Sequence, residues 1–311
     1  MKLVAGIDGG QSHTTAVIVD QDGVVRGRGR GGPADHVDEP PGSRKFADAS
    51  NDALMRALDA AGLPRATRFE AVHAGLSGYD AHFDGAQPQF AAPVVRVQHD
   101  APIALAGAVH ARPAVVVIAG TGSVAYGEAA DGTSVRVGGW GFLFGDEGSA
   151  FAVARDGLAH AMAEADRGAR SPLGEAALSY FDRRNLRDLA TAALLGRVSR
   201  AELAGFARLV HDAARLGDAG ASAIVGEAAS ALAALAATAL ARLDLGARDV
   251  PVAFAGGAFV NEAFFARARE RLAELAPRAR AVTPRYDPAI GAALLAFADA
   301  GLAVPDRILE G

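Results

Sequence analysis

The 311-residue chain contains no cysteine. This absence excludes disulfide bonds, thiolate zinc sites, iron–sulfur clusters and cysteine nucleophiles. Lysine is nearly absent too: only Lys2 and Lys45 occur, so arginine carries most of the positive charge. No run of about 18 apolar residues is present, and the apolar start at residues 3–7 is much shorter than the core of a signal peptide. We therefore expect no membrane span and a cytoplasmic location.

The charge balance is acidic, with a net charge of −5 at pH 7. An acidic surface argues against nucleic acid or an anionic membrane as a partner. The length predicts one large or two ordinary domains, and a chain of this size can bury a core without covalent cross-links. Hydrophobic residues make up 50% of the sequence, which is ordinary for a globular protein.

Three glycine-rich turns stand out, and each follows a short apolar run. They are DGGQS at residues 8–12, AGTGS at residues 119–123 and GGWGFLFGDEGS at residues 138–149. Glycine at this density lets backbone N–H groups approach a ligand closely. The three turns indicate a nucleotide and a second ligand held between two lobes.

The first two turns begin the same pattern of strand, glycine turn, strand, Asp-Gly turn and strand. The predicted strands are residues 3–8, 14–20 and 24–30, and then 114–119, 123–127 and 134–137. Because a hairpin and not a helix follows each glycine turn, the pattern differs from a dinucleotide-binding start. The matched order predicts an internal structural repeat.

Helical spacing dominates much of the remaining chain. Ser43 is a plausible N-cap for a helix that Gly62 ends. Residues 150–243 are alanine-rich and predict a helical insertion, broken near residues 168–172 and 217–220. Further strands are expected at residues 70–74, 94–97, 250–255 and 281–283, and further helices at residues 101–110, 261–276 and 287–300. The last helix is expected to return to the first lobe.

Four segments together resemble the N-acetylglucosamine kinase group of the BadF/BadG/BcrA/BcrD ATPase-like family, within the sugar kinase–chaperone–actin fold. They are GIDGGQSHTT (6–15), VIAGTGSVAYG (117–127), GGWGFLFGDEGSAF (138–151) and VAFAGGAFVNE (252–262). Their order matches and the resemblance covers nearly the whole chain. The third segment is the most specific, whereas the first two alone would indicate only the superfamily.

The resemblance implies an α/β fold of two actin-like (ribonuclease H-like) lobes, with a nucleotide and sugar cleft between them and a helical insertion in the second lobe. The N-terminal lobe would comprise residues 1–110 plus the segment 285–311. The C-terminal lobe would comprise residues 111–284 and carry most of the nucleotide site.

The resemblance further implies ATP and Mg²⁺ as cofactors, with backbone amides of both hairpin turns binding the nucleotide phosphates. Asp8 would hold a hydrated Mg²⁺, which keeps its own waters in proteins. The family more often has glycine and threonine where this chain has Gln11 and Ser12. The residues implied for the nucleotide are Gly9, Gly10, Gln11, Ser12, Gly120, Thr121, Gly122, Ala204, Gly256, Gly257 and Asn261.

Asp100 matches the family's catalytic aspartate, which would accept the proton of the sugar hydroxyl as general base. On pattern alone, the same residue fits an N-cap for a helix that begins at Ala101. His99 beside it is expected to pack or to lie at the surface. The residues implied for the substrate are Asp35, Gly78, Asp100, Ser123, Gly139, Trp140, Gly141 and Asp146. For Trp140, packing in the core is an equal alternative. For Ala204, packing of its helix against a neighbour is an equal alternative.

The implied activity is ATP-dependent phosphorylation of an amino sugar at its 6-hydroxyl, with N-acetylglucosamine as the first expectation. Asp35 stands where the family has an asparagine, so a glucosamine kinase stays open. Tyr79 follows Gly78 where the family usually has a second glycine, and it could reshape the pocket. The expected partners are the amino sugar and ATP, and the resemblance also suggests a homodimer.

Three other classes of protein are alternatives to a sugar kinase, and the first of them, a non-catalytic sugar sensor, stays open. A non-catalytic sugar-sensing regulator would carry a helix-turn-helix ahead of the first phosphate turn, and we expect none because that turn begins at Asp8. An activator ATPase of 2-hydroxyacyl-CoA dehydratase holds an iron–sulfur cluster on cysteines, which this chain lacks. An actin-like polymer or chaperone ATPase would leave residues 138–149 unexplained.

Overall fold

The computed structural model describes residues 1–34, 39–79 and 82–310. These residues form two compact units. One comprises Met1–Val116 with Thr283–Gly311, and the other comprises Val117–Val282. The predicted sugar-contacting residue Asp35 lies outside the described residues.

The strands, in chain order, are β1 (Leu3–Gly9), β2 (Thr14–Asp20), β3 (Val24–Gly31), β4 (Ala71–Leu76), β5 (Val94–His99), β6 (Ala114–Ala119), β7 (Ser123–Glu128), β8 (Ser134–Gly138), β9 (Val250–Ala255), β10 (Ala279–Val282) and β11 (Leu309–Glu310). The helices are α1 (Lys45–Ala60), α2 (Asp100–Ala108), α3 (Ala150–Asp166), α4 (Pro172–Tyr180), α5 (Leu186–Leu194), α6 (Arg200–Gly205), α7 (Ala207–Arg215), α8 (Ala219–Arg242), α9 (Glu262–Leu275) and α10 (Pro288–Asp299). A 3₁₀ helix spans Gly257–Val260.

The strands form two sheets with orders β11-β3-β2-β1-β4-β5 and β10-β9-β6-β7-β8. The strands β1 to β5 therefore lie in the same order as β6 to β10, which confirms the predicted internal repeat. Both Asp-Gly turns close as expected, since Gly23 and Gly132 adopt left-handed φ angles of 79° and 86°. The two glycine turns, between β1 and β2 and between β6 and β7, occupy equivalent places in the repeat.

Alternating side chains of β1 and β2 fill two cores in the first unit, as the two-residue period of a strand requires. Ile7 and Ile18 pack toward Phe46 of α1. Val4 and Val17 lie in the other core, with the buried side chains of α10. The C-terminal helix thus packs against the sheet that begins the chain.

In the second unit, α3 to α8 form the helical insertion. Helix α8 is long and apolar enough to cross a membrane by length and composition alone. Its buried side chains, including Val225, Leu232 and Leu240, pack toward neighbouring elements of the unit, which is typical of a core helix.

The N-cap expected at Ser43 is wrong by one position. Helix α1 begins at Lys45, and its N-cap is Arg44, which has helical dihedral angles and no side-chain capping bond. The Ser43 hydroxyl still accepts the Lys45 N–H at 3.3 Å.

Candidate functional site

Three neighbouring parallel strands of the first unit end at one edge of their sheet. Strand register places Gly9 beside Leu76 and Leu76 beside His99. Residues that follow parallel strands collect at this carboxyl edge, where α/β proteins bind ligands. The fold therefore brings together the first glycine turn, the loop with Gly78 and the start of α2 with Asp100.

The first glycine turn is hydrogen-bonded to both segments that the sequence linked to sugar. Within the turn, the Gly10 N–H donates to the His13 carbonyl at 3.0 Å. The Gly9 carbonyl accepts the Ser77 N–H at 2.8 Å, and the Gly10 carbonyl accepts the Ala34 N–H at 3.0 Å. Ser77 directly precedes Gly78, so a backbone hydrogen bond joins the first glycine turn to the Gly78 loop.

The remaining residues of this turn and of the Gly78 loop are more open. Gln11 is partly buried and Ser12 is exposed. Gly78 is exposed with φ 78°, while Tyr79 packs its ring 4.9 Å from that of Phe83. Tyr79 therefore rests on its own unit's core instead of extending freely from the loop.

Asp8, at the end of β1, is the most perturbed carboxyl group of this edge. Desolvation in its partly buried position, together with the negative charges of Asp100 and Asp287, raises the pKa of Asp8 to about 7. Within the described ranges, no three histidine or acidic side chains are arranged to hold a metal ion directly. Hard carboxylate oxygens that repel one another suit a hydrated Mg²⁺, which binds proteins largely through its waters.

Asp100 is the first residue of α2, and it does not cap that helix. The alternative reading of Asp100 as an N-cap is wrong, because His99 is the N-cap and its Nδ1 accepts the Ala101 N–H at 3.1 Å. That nitrogen also lies 2.9 Å from Asp100 Oδ1. Since this nitrogen already accepts a hydrogen bond, it is no donor to the carboxylate. Asp100 Oδ1 is therefore buried without a hydrogen-bond partner. The Asp100 carboxylate thus keeps free acceptor capacity at a helix N-terminus, which stabilises negative charge.

Asp287 is a member of this acidic group that the sequence reading missed. Its carboxylate caps α10 by accepting the Ile290 N–H at 2.9 Å, and it accepts a bond from Arg28 Nη1 at 2.8 Å. The Asp-Pro pair at the start of a helix was the available local signal for the cap. Nothing local indicated that the cap would lie near Asp8.

The second glycine turn lies in the other unit, between β6 and β7. The Gly120 N–H donates to the Gly122 carbonyl at 2.9 Å, and the Gly120 carbonyl accepts the Ala150 N–H at 2.9 Å. This second bond attaches the turn to the start of α3. Thr121 is partly exposed at the tip. Ser123 is buried, and its hydroxyl donates to the Glu147 carbonyl at 2.7 Å.

Asp146 joins this turn to the segment of residues 138–149. Its Oδ1 accepts the Ser123 N–H at 3.1 Å and its Oδ2 accepts Arg200 Nη2 at 2.6 Å. Asp146 is only 3% exposed and adopts a left-handed φ of 61°, an uncommon conformation for a residue other than glycine. Each carboxylate oxygen can accept a second bond, so the two protein contacts leave acceptor capacity for a ligand.

Trp140 differs from the expectation of a buried aromatic residue. Its side chain is 77% exposed, so core packing is wrong for it in this structure. It lies between Gly139 and Gly141, which both have left-handed φ angles, of 69° and 80°. The neighbouring Leu143 and Phe144 are exposed as well.

The segment predicted to contact adenosine lies beside the second glycine turn. Gly256 has φ 103°, and a β-carbon there would come within 2.3 Å of the Ala119 carbonyl oxygen, so only glycine fits. Gly257 has open space around it. Asn261 is exposed and its side chain caps α9 by accepting the Phe264 N–H at 3.2 Å. Ala204 is 7% exposed within α6.

The comparisons with known proteins agree with this architecture. A family model described as the BadF/BadG/BcrA/BcrD ATPase family matches residues 5–296. An N-acetylmuramic acid/N-acetylglucosamine kinase from Clostridium acetobutylicum is 32% identical over 202 residues, 64% of this chain and 66% of that protein. An N-acetyl-D-glucosamine kinase from Dictyostelium discoideum is 30% identical over 206 residues, 65% of each chain. The alignments thus span slightly less than two thirds of these relatives.

Solved structures extend the likeness over nearly the whole chain. A protein from Chromobacterium violaceum, provisionally named N-acetylglucosamine kinase, has a TM-score of 0.78 at 28% identity and covers 95% of this chain and 99% of its own. A ROK family glucokinase from Streptomyces griseus has a TM-score of 0.59 at 19% identity and covers 94% and 99%. The second likeness concerns the fold alone. Together they confirm the predicted actin-like α/β fold class.

Proposed function

Because the chain belongs to the BadF/BadG/BcrA/BcrD ATPase family, we propose that it transfers the terminal phosphoryl group of ATP to an amino sugar. N-acetylglucosamine is the first candidate substrate and its 6-hydroxyl is the acceptor. Relatives named for this activity in two organisms support the choice of sugar class.

One observation carries the proposal: the Asp100 carboxylate, whose side chain is 21% exposed and whose Oδ1 has no hydrogen-bond partner, lies at the carboxyl edge that also holds Asp8 and the first glycine turn. A general base needs an acceptor atom that the protein has not already used. Asp100 meets this requirement because His99, and not Asp100, accepts the Ala101 N–H at the start of α2. Asp100 would accept the proton of the sugar hydroxyl as that oxygen attacks the phosphoryl group.

The other residues would position the reactants. Phosphoryl transfer depends mainly on alignment and charge neutralisation, and backbone amides of the two glycine turns suit this role. Asp8 would hold Mg²⁺ through its waters, and that ion when bound offsets the negative charge of the phosphates. Residues 139–141, Ser123 and Asp146 would bind the sugar, with hydroxyl groups donating to the carboxylate.

A panel of sugars tests the proposal, with Mg²⁺-ATP as donor and ADP release as readout. The panel contains N-acetylglucosamine, glucosamine, glucose and, because one relative's name includes it, N-acetylmuramic acid. Turnover of an amino sugar well above that of glucose is the expected result. Activity on glucose alone would refute the amino-sugar assignment. Tight sugar binding without any turnover would instead indicate a sugar-sensing regulator.

Glucosamine is the second candidate, because Asp35 replaces the family's asparagine. A carboxylate beside the 2-substituent would favour a free ammonium group over an acetamide. Asp35→Asn should therefore shift the ratio of kcat/KM values toward N-acetylglucosamine. An unchanged ratio would remove the reason for this candidate.

A further inference from the structure

The guanidinium of Arg200 is the partner of the most buried carboxylate in the second unit. The pair spans 54 residues of sequence, with an Nη2 to Oδ2 distance of 2.6 Å. The side chain of Asp146 is 4% exposed and that of Arg200 is 28% exposed. A carboxylate so far removed from water requires a charged or hydrogen-bonding partner.

Two aromatic rings set the orientation of this guanidinium. The Arg200 Cζ atom lies 5.0 Å from the ring centre of Phe142 and 5.6 Å from that of Phe151. Its Nε is buried without a hydrogen-bond partner, so the bond to Asp146 is made through Nη2. A planar guanidinium stacks on such rings and a lysine ammonium does not, which makes arginine specific here.

The carboxylate that Arg200 engages reaches both segments assigned to ligands in this unit. Asp146 belongs to residues 138–149, and its other oxygen accepts the Ser123 N–H at the end of the second glycine turn. The backbone of Asp146 is held in a left-handed conformation, which a surrounding structure must maintain. The capping box of Ser199 and Glu202 fixes the start of α6, from which Arg200 extends.

We propose that Arg200 is a positioning residue: it holds the Asp146 carboxylate against the second glycine turn and so keeps the sugar-binding segment and the phosphate-binding turn in register. The kinetic part of this inference rests on the proposed function, whereas the structural part does not. Arg200 reaches the reaction only through Asp146.

Amide hydrogen exchange tests the structural part without any substrate. In Arg200→Met, which keeps the length but removes the charge, the Ser123 amide should exchange at least about tenfold faster than in the wild type, because its acceptor is no longer held. The matched control is Arg170→Met, since Arg170 pairs with Glu175 in the same unit but is 83% exposed. That variant should leave exchange at Ser123 unchanged. Unaltered exchange at Ser123 in folded Arg200→Met would overturn the inference.

Kinetics test the consequence for the substrate. Arg200→Met should raise the KM for the amino sugar at least about tenfold and the KM for ATP by less, since misplacement by about 1 Å has large effects on bound reactants. Arg200→Lys should restore part of the loss, because it returns the charge but not the stacking. Millimolar guanidinium should rescue Arg200→Ala, in which the space that the guanidinium fills beside Phe142 and Phe151 is empty. If Arg200 had a purely structural role, Arg200→Met would lower the thermal stability without a larger rise in the KM for sugar than in the KM for ATP. Guanidinium would then not rescue Arg200→Ala.

Together, the sugar assays and the exchange experiment distinguish a failure of the proposed function from a failure of the inference about Arg200. A wild-type protein without activity on the sugar panel refutes the proposed function, and the exchange experiment then decides the role of Arg200 alone. An active wild type whose sugar KM stays within twofold in folded Arg200→Met refutes the kinetic role of Arg200 and leaves the proposed function standing.

Discussion

Gly122 lies directly against the carboxylate of Asp146. A β-carbon on residue 122 would come within 2.9 Å of both carboxylate oxygens. A glycine is therefore needed at this position to leave room for a neighbouring side chain. Because Arg200 and Ser123 hold that side chain in place, it has little freedom to move away.

Gly122→Ala should displace the carboxylate and destabilise the protein by about 1–3 kcal/mol, the usual effect of overpacking. Gly120→Ala is the matched control for folding, because a β-carbon at residue 120 meets nothing within 4 Å. Urea denaturation of the two variants measures the difference. If Gly120 instead contributes to phosphate binding, its variant should keep its stability and show a raised KM for ATP. Equal stability of both variants would contradict the close contact.

Replacement of Asp100 by asparagine should slow turnover strongly while leaving the fold intact. A general base contributes about 10²–10⁴-fold to the rate, so kcat should decrease by a factor in that range. The affinity for the sugar should stay nearly unchanged. Isothermal titration with sugar and an ADP-release assay provide the two numbers. Turnover of Asp100→Asn within about tenfold of the wild type would rule out the general-base role.

His99 should show the opposite pattern, because it is the N-cap of α2. His99→Ala removes the acceptor of the Ala101 N–H and should lower the free energy of unfolding by about 1 kcal/mol. His99→Asn supplies another good capping group and should retain most of that stability. Thermal melts compare the three proteins, and equal melting temperatures for all three would contradict the capping role.

Asp8 should make the protein without ligand less stable as pH rises. Its pKa in the folded state is about 7, above the ordinary value of 3.8, so the folded state holds a proton that the unfolded state has lost. The stabilising contribution is fully present below pH 4 and is lost as pH rises through 7, with an upper bound of about 4 kcal/mol. Urea denaturation at pH 5 and pH 8 should show the part of this loss that falls between those two pH values.

Asp8→Asn should remove the loss and be more stable than the wild type at pH 8, although it should also lose activity. Asp131→Asn is the control, because the Thr133 N–H donates to that exposed carboxylate and holds its pKa below the ordinary value. The contribution of Asp131 to stability is therefore lost as pH falls, which is opposite to the dependence expected for Asp8. A wild type and an Asp8→Asn variant with parallel pH profiles would contradict the raised pKa.

The local patterns predicted much of the fold for a physical reason. Apolar runs followed by Gly-Thr-Gly or Asp-Gly specify strands and tight turns from a few neighbouring residues. The repeat of that order was visible in the sequence, and both sheets share it. Strand and helix limits differed by a few residues, as at α1, where the cap is Arg44 and not Ser43.

The long-range contacts could not be predicted in this way. Arg200 is one of many arginines, and only the folded insertion brings it to Asp146 across 54 residues. Asp287 likewise meets Asp8 only because the last helix packs on the first sheet. Trp140 has neighbours in sequence that suit a core, but it is exposed, and the glycines on either side of it have left-handed φ angles.

Substitutions at Gly256 and Gly257 distinguish a role in packing from a role in ligand binding. Both residues lie in the segment predicted to contact adenosine. Gly256→Ala should destabilise the protein by at least about 2 kcal/mol, because its φ is left-handed and a β-carbon meets the Ala119 carbonyl. Gly257→Ala has open space and should leave stability unchanged. It should weaken ATP binding if the backbone there passes the purine. Thermal melts with and without ATP compare them, and a stable Gly256→Ala would contradict the contact.

The position of the transferred phosphate is the most direct test of the proposed activity. N-acetylglucosamine incubated with Mg²⁺-ATP and the protein should give one product, whose ³¹P–¹H coupling in NMR places the phosphate on carbon 6. The 6-deoxy sugar should give no product under the same conditions. Phosphate on another carbon, or release of ADP without any sugar phosphate, would contradict the account.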